Sequence, residues 1–520
     1  MDIKKLSKLS PFEFKDKLIA IAKGKSNHQV LDTGRGNPNF FNYFVRVAFA
    51  ELQLICLEFS KYIDVDLHAY PLPDDYNYYN ELRKAINKKL LPKHVKSFLL
   101  LYIEFFADSN TLLHDIVLST IGAFYPNPPQ IQPHLNIIAD TYMRRLIFDK
   151  NTNAIPASGF TYFACEGAAA GILYTFNTLR NNHLMMPGDH IGIITPIFSP
   201  YLEMPKMHEY GLKIIELKCD PRTNYSLPDE EINKLKDRRI KILFVVNPAN
   251  PSDFALPESN ILKIKSVIDN YNKNLIIVSD DVYAPFVNKF ISFMRICPNN
   301  TILIQSLSKY FGATGWRLGV IMVKKHNNID KMLLKSGRKT ISKNRYTIAS
   351  TNPTKLTFME RLVLDSRQVA EAHVGGLSTP QQVLLGMFLF YDFGFVKNKA
   401  YKKTLQKLLR RRMQLLYEAL DVKPIINDFT TNYYTLLDIP HIANTIYGKH
   451  ADIQIRKISP ITFLIHLAKI EHVVLLPGSG FAAEKWNLRV SLANLDTSAY
   501  KKIGESIRKT IEFFVSKKYK

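Results

Sequence analysis

The segment from Ser306 to Gly319, SLSKYFGATGWRLG, holds three side chains suited to a phosphorylated aldehyde. The Lys309 amine can condense with an aldehyde to a Schiff base. Ser306, three residues earlier, and Arg317, eight later, are a hydroxyl and a planar guanidinium of the kind that grip a phosphate. Gly312, Gly315 and Gly319 leave the backbone room. A lysine in a glycine-rich turn is commonly just a solvated loop residue, so the reading depends on partners elsewhere. Asp280, in SDDVYAPF, can face a pyridine nitrogen, keep it protonated and make the ring an electron sink. Tyr283 and Asn250, the latter from NPANP, can hydrogen-bond a ring hydroxyl oxygen and lower the Schiff-base pKa. Asp281 reads as a bystander. The cofactor these groups fit is pyridoxal 5'-phosphate.

Further residues extend the set. The run CEGAAAGILYTF, 165–176, reads as a tight turn opening a helix; its first amides, at Gly167 and Ala168, and its dipole can receive a phosphate dianion. Phe198 in TPIFSPY can stack on a pyridine ring, with Tyr201 lining the same wall. For a substrate carboxylate, Arg489 in RVSLANL offers a planar bidentate fork. Arg35, between Gly34 and Gly36 in DTGRGNPNF, is the second candidate, since a backbone approaching a ligand needs such glycines. Lys15, on a short N-terminal helix, is a weaker third.

The elements that must position these residues are strand-like runs alternating with helical stretches: 191–196, 213–218, 240–246, 275–280, 301–306 and 317–323. That rhythm predicts an α/β unit with a mostly parallel central sheet and flanking helices, whose ligands sit at the carboxyl ends of the strands. Asn250, Asp280, Ser306 and Lys309 all fall there. Residues 60–120 read as a helical insertion, 121–345 as the large unit, and 346–520 as a smaller α+β unit packing with the N-terminal segment 1–59.

The chain has 520 residues, 46% of them hydrophobic, enough for two or three packed units. No apolar run reaches membrane-spanning length and the start lacks a signal-peptide core, which points to the cytoplasm. Cys56, Cys165, Cys219 and Cys297 are too scattered for a zinc site or a disulfide framework, and no metal is expected. The net charge of +23 could serve nucleic acid, membranes or acidic metabolites. The densest basic stretch, 397–412, has leucines at helical spacing and reads as an amphipathic helix with a solvated charged face. No base-reading motif accompanies it, so neither nucleic acid nor a membrane is an expected partner.

In their order along the chain, NPANP, SDDVY, SLSK, GWRLG and RVSLAN resemble the fold-type I pyridoxal-phosphate enzymes of the aspartate aminotransferase superfamily. LSPFEFKD, GRGNPNF, GLSTPQQV and LLPGSGF look more closely like the bifunctional aspartate aminotransferase/aspartate 4-decarboxylase family, essentially end to end. The resemblance implies Lys309 as the Schiff-base lysine, Asp280, Tyr283 and Asn250 around the ring, Ser306 and Arg317 at the phosphate, and Arg489 on the α-carboxylate. It implies that Tyr125, in AFYPNPP, reaches the phosphate of a neighbouring subunit, hence at least a dimer, with room for higher assemblies of dimers. The implied activity is β-decarboxylation of L-aspartate to L-alanine and CO2, beside aminotransfer to 2-oxo acids. Plain aminotransfer on acidic amino acids is the enzymatic alternative, and a basic regulatory or nucleic-acid-binding protein the non-enzymatic one. One departure stands out: where the family has Gly-Gly-Thr, this chain has Gly167, Ala168 and Ala169, and a hydroxyl donor to the phosphate is missing.

Overall fold

The computed structural model describes residue 9 and residues 11–24, 29–59, 77–126, 130–148, 159–369 and 375–516. The first part of the expected insertion, 60–76, lies outside them. The helix Pro11–Lys23 precedes β1 (Leu31–Asp32). The central sheet comes next, built from β2 (Phe160–Cys165), β3 (His190–Thr195), β4 (Lys213–Lys218), β5 (Ile240–Val246), β6 (Ile276–Asp280), β7 (Thr301–Ser306) and β8 (Gly319–Lys324). Runs such as ILFVV in β5 have no polar face, which suits strands covered by helices on both sides. The strand order is β2-β8-β7-β6-β5-β3-β4. β8 runs antiparallel to β2 and β7, and the other pairs are parallel. FTYFAC has no clear alternation and announces no strand; it becomes β2 because β8 offers it a ladder.

Register brings the motifs to one edge. Cys165, Gly319 and Ser306 are cross-strand partners, and one row over Asp280 pairs with Val246 and Ile304. The turns after β2, β3, β5, β6 and β7 therefore share the carboxyl edge of the sheet, the usual place for ligands in such folds.

Helices Tyr43–Glu58, Tyr78–Lys88, Lys93–Glu104, Asn110–Ile121 and Pro133–Phe148 carry the aromatic region. Phe358–Ser366 and Thr379–Phe390, expected in the small C-terminal unit, join the large core instead. Phe390 packs its ring 5.9 Å from Phe98 and 5.5 Å from Tyr102, an apolar surface the small unit does not offer.

The small unit is an antiparallel sheet of β9 (Tyr434–Asp438), β12 (Asn487–Ser491) and β11 (Leu476–Pro477), in the order β11-β12-β9. The first part of the N-terminal segment packs on it: β1 pairs in parallel with β10 (Val473–Val474), and Phe14 and Leu18 are buried beside Leu464 and Leu467, whereas Tyr43–Glu58 buries Val45, Leu52 and Ile55 in the large core. The basic helix, Ala400–Ala419, buries Leu405, Leu409, Met413 and Leu416. Its charged face is not wholly solvated: Arg412 is buried and donates to the Leu492 carbonyl at 3.0 Å and to Asn39 Oδ1 at 2.8 Å. That guanidinium ties the basic helix to the N-terminal segment. No helix among the described residues is long and apolar enough to cross a membrane.

Candidate active site

Three elements build an anion cradle. The helix Gly167–Asn181 begins directly after β2 with no side-chain cap on its first amides, leaving them for a ligand. Arg317, at φ 55°, curls back over that terminus and donates to the Glu166 carbonyl at 3.1 Å and to the Thr314 carbonyl at 3.1 Å. A Cβ added at Gly167, whose φ is +80°, would lie 3.0 Å from the guanidinium, so glycine keeps the cradle open. Ser306 Oγ accepts the Ser308 amide at 3.2 Å and lies 3.0 Å from the Ser308 hydroxyl. Ser308 is a second hydroxyl at this end of β7 that the motif spacing did not single out. Gly312 and Gly319 are small for another reason than the one expected: they pack against the backbone of Phe40 and of Gly167.

Beside the cradle lies a carboxylate fit for a ring nitrogen. Asp280, at the end of β6, is 2% exposed, accepts the Tyr201 hydroxyl at 3.0 Å through Oδ2 and the Val282 amide at 3.2 Å through Oδ1. Burial pushes its carboxyl up to about 6, opposed by those two donors and by the Lys309 charge. Tyr201 therefore orients the carboxylate rather than only lining the wall. Phe198 stands edge-on to Tyr201, ring centroids 5.4 Å apart, and is half-buried as a ring that receives a planar ligand should be. Asp281, read as a bystander, turns away to the hydroxyls of Ser279 and Ser292.

Lys309 donates to the Gly36 carbonyl at 3.0 Å. Burial brings its ammonium down to about 8, helped by the charges of Arg489 and Arg317 and opposed by Asp280. All three charges act on the same amine. Tyr433 also donates to the Gly36 carbonyl, at 2.9 Å, and a side chain on Gly36 would collide with the Tyr434 hydroxyl. The glycines around Arg35 thus bring carbonyls to functional side chains; they are not a mark of Arg35 itself.

Arg489 in β12 is buried to 2% exposure. Its guanidinium donates to the Gly34 carbonyl at 2.7 Å and to Asn250 Oδ1 at 3.3 Å, and lies between the rings of Tyr434, at 4.8 Å, and Phe481, at 4.7 Å. Its Nε has no partner. A desolvated guanidinium with an orphaned N–H and no carboxylate at ion-pair distance among the described residues is suited to an incoming one. Asn250 thus touches Arg489, and Tyr283 meets the Tyr434 hydroxyl at 3.0 Å. Arg35 is exposed and pairs with Asp32 at 3.5 Å. Lys15 is not simply solvated: its stem covers Gly34, and its side chain is 13% exposed. Tyr125 is 70% exposed at the surface.

The donors fit a planar, phosphate-bearing cofactor on two structural grounds: the cradle a Cβ at Gly167 would fill, and the buried, oriented carboxylate of Asp280 at the neighbouring strand end, while the orphaned Nε of Arg489 suits a substrate carboxylate. Sequence reasoning missed Tyr433, Tyr434 and Ser308. The pair NYYTLL matches no motif, and only folding carries it to Gly36.

The profile of the family described as aminotransferase class I and II matches residues 146–507. The bifunctional aspartate aminotransferase and L-aspartate beta-decarboxylase of a Pseudomonas species is 36% identical over 522 aligned residues, covering 98% of this chain and 97% of that one. A probable aspartate aminotransferase of Methanocaldococcus jannaschii is 28% identical over 159 residues, 30% of this chain and 39% of its own. Among solved structures, a single mutant of Thermus thermophilus aspartate aminotransferase superposes with a TM-score of 0.62 at 16% identity, over 97% of both chains. An aromatic aminotransferase from Pyrococcus horikoshii does so with a TM-score of 0.60 at 16% identity, over 96% of this chain and 98% of that one.

Proposed function

Because this chain belongs to the class I and II aminotransferase family, and within it to that of the bifunctional aspartate aminotransferases and aspartate β-decarboxylases, we propose that it converts L-aspartate to L-alanine and CO2. Pyridoxal 5'-phosphate is the proposed cofactor, and aminotransfer from aspartate to 2-oxoglutarate the proposed side activity. The observation that carries the reading is that the Lys309 amine, on the Gly36 carbonyl, shares one loop with the buried Arg489 on the Gly34 carbonyl, while Arg317 covers the uncapped helix start.

When bound, the cofactor supplies an aldehyde for amine exchange and a ring that accepts an electron pair. Gly167, Ala168, Ser306, Ser308 and Arg317 would hold its phosphate. Asp280 would hold a proton on the ring nitrogen, and Asn250 and Tyr283 would face the ring hydroxyl, with Phe198 against the ring. Arg489 binds the α-carboxylate through its free fork edge. Lys309 would take the Cα proton as general base and later return a proton to carbon. Loss of CO2 breaks the bond from Cβ to the distal carboxylate, and a proton replaces it there. A firm ion pair to that carboxylate keeps it charged and in place, so Arg35, between Gly34 and Gly36, and Lys15, whose stem covers Gly34, are the proposed tuners.

Supplied with L-aspartate and no 2-oxoglutarate, the cofactor-loaded protein is expected to release alanine and CO2 in equal amounts over many turnovers. Silence until 2-oxoglutarate is added would mean a plain aminotransferase. Arg35→Ala is expected to change the ratio of alanine to oxaloacetate or pyruvate without preventing substrate binding, and an unchanged ratio excludes Arg35 as a tuner.

Ala169 is exposed on the first helical turn, where a hydroxyl could reach a phosphate. A hydrogen bond to a charged group is worth about 1.5–3 kcal/mol. Ala169→Thr should therefore lower the cofactor Kd roughly tenfold or more. An unchanged constant, by absorbance titration of the apo-protein, would mean that the missing hydroxyl does not weaken cofactor binding.

We also infer an assembly of at least two copies, extended to dimers of dimers or beyond, with Tyr125 serving a neighbouring copy. The exposed apolar rings of Phe41, Tyr43, Tyr125 and Trp316 support it. A cytoplasmic location is part of the same reading, and the four free cysteines suit a reducing compartment.

A further inference from the structure

Asp253 lies three residues past Asn250, in the loop after β5, and the chemistry above makes no use of it. It is 3% exposed and adopts φ 77°, a conformation L side chains rarely take. Its carboxylate faces the entry to β9. Oδ2 accepts the Asn432 amide at 2.7 Å; Oδ1 accepts the Tyr433 amide at 3.0 Å and the Thr431 hydroxyl, with the Tyr434 amide 3.4 Å away. The Thr431 amide returns a bond to the Asp253 carbonyl at 3.2 Å. Three consecutive amides converge on one carboxylate, a charge-assisted grip that fixes backbone direction as well as position.

The gripped residues are those whose hydroxyls enter the site. Tyr433 donates to the Gly36 carbonyl, which also receives Lys309. The Tyr434 hydroxyl meets that of Tyr283, and its ring carries the Arg489 guanidinium. A phenol has one proton. When Tyr434 donates to the Tyr283 oxygen, the Tyr283 proton is free to point at the ring hydroxyl oxygen of a bound cofactor.

We propose that Asp253 is a positioning residue: by gripping 431–434 it holds the Tyr434 hydroxyl within hydrogen-bond reach of Tyr283, where it can donate to the Tyr283 oxygen once a cofactor takes the Tyr283 proton, and so tunes the cofactor's protonation from across the interface between the large and small units. This rests on the cofactor reading above. Its test is absorbance against pH in the cofactor-loaded protein, a readout independent of turnover.

Asp253→Asn keeps the size but turns one acceptor into an N–H facing backbone N–H groups. It and Tyr434→Phe are each expected to raise the midpoint of the absorbance titration by a few tenths of a unit, because they weaken the Tyr283 bond to the charged ring oxygen by roughly 10–30% rather than delete it. The double variant should move it no further. Thr431→Val, which deletes a single donor, is expected to give a smaller shift in the same direction and serves should Asp253→Asn fail to fold. Midpoints unchanged in these variants, with only a lowered Tm, would overturn the proposal and leave Asp253 a clip between the two units. A wild-type protein that takes up no cofactor would overturn the functional reading itself, and this role with it.

Discussion

Lys309→Ala is expected to lower turnover by about four orders of magnitude, the upper range for a general acid–base group, and to abolish any borohydride-reducible adduct with pyridoxal phosphate. The folded structure sharpens this beyond a simple knockout. The amine is held down to about 8, first by burial, then by the Arg489 charge. Below that pH it is protonated and not nucleophilic; above it the free base dominates. Capture of the aldehyde by the apo-protein should therefore speed up as pH rises through about 8, well below the range of an ordinary lysine. Turnover or reducible adduct surviving in Lys309→Ala would remove this residue from the reaction. A capture rate that rises only near pH 10 would mean that the amine is not desolvated.

Arg489→Ala is expected to lower kcat/KM for aspartate by roughly 30-fold to several thousand-fold, because truncating one partner of a buried, hydrogen-bonded charge pair costs about 2–5 kcal/mol. The loss should fall largely on KM, with cofactor absorbance retained, since the guanidinium contacts Asn250 and Gly34 and is not part of the phosphate cradle. Arg489→Lys keeps the charge but loses the planar fork, and should recover only part of the deficit. If Arg489→Ala binds aspartate as the wild type does, the α-carboxylate sits elsewhere and Arg35 becomes the better candidate.

The two variants probe parts of the site that were unequally visible in the sequence. Lys309, Ser306, Arg317, Asp280 and Asn250 were legible because each lies at or near the end of an apolar, β-branched run or in the turn beyond it, and parallel strands deliver their C-terminal turns to a single edge of the sheet. Arg489 was legible as a residue type but not as a neighbour of Gly34, from which it is separated by 455 positions. The reading of Arg35 from its flanking glycines misassigned the cause, since Gly36 is small because Lys309, Tyr433 and Tyr434 crowd it. The helices between 358 and 390 were placed with the wrong neighbours because amphipathic spacing says that a face is buried, not against what.

The sequence by itself determined the alternation of strands and helices and the local motifs that could carry a phosphate, a ring and an amine, which rest on spacing within about ten residues, and the family, which rests on the order of those motifs along the chain. Tertiary structure alone decided which distant backbone meets those motifs. The Gly36 carbonyl reaches Lys309 across 273 positions, and the Asp253 carboxylate reaches Asn432 across 179. Such contacts arise from how β1 and β9 are docked beside the large sheet. They depend on burial and on satisfying buried polar groups over the whole chain, and no local pattern encodes those sums.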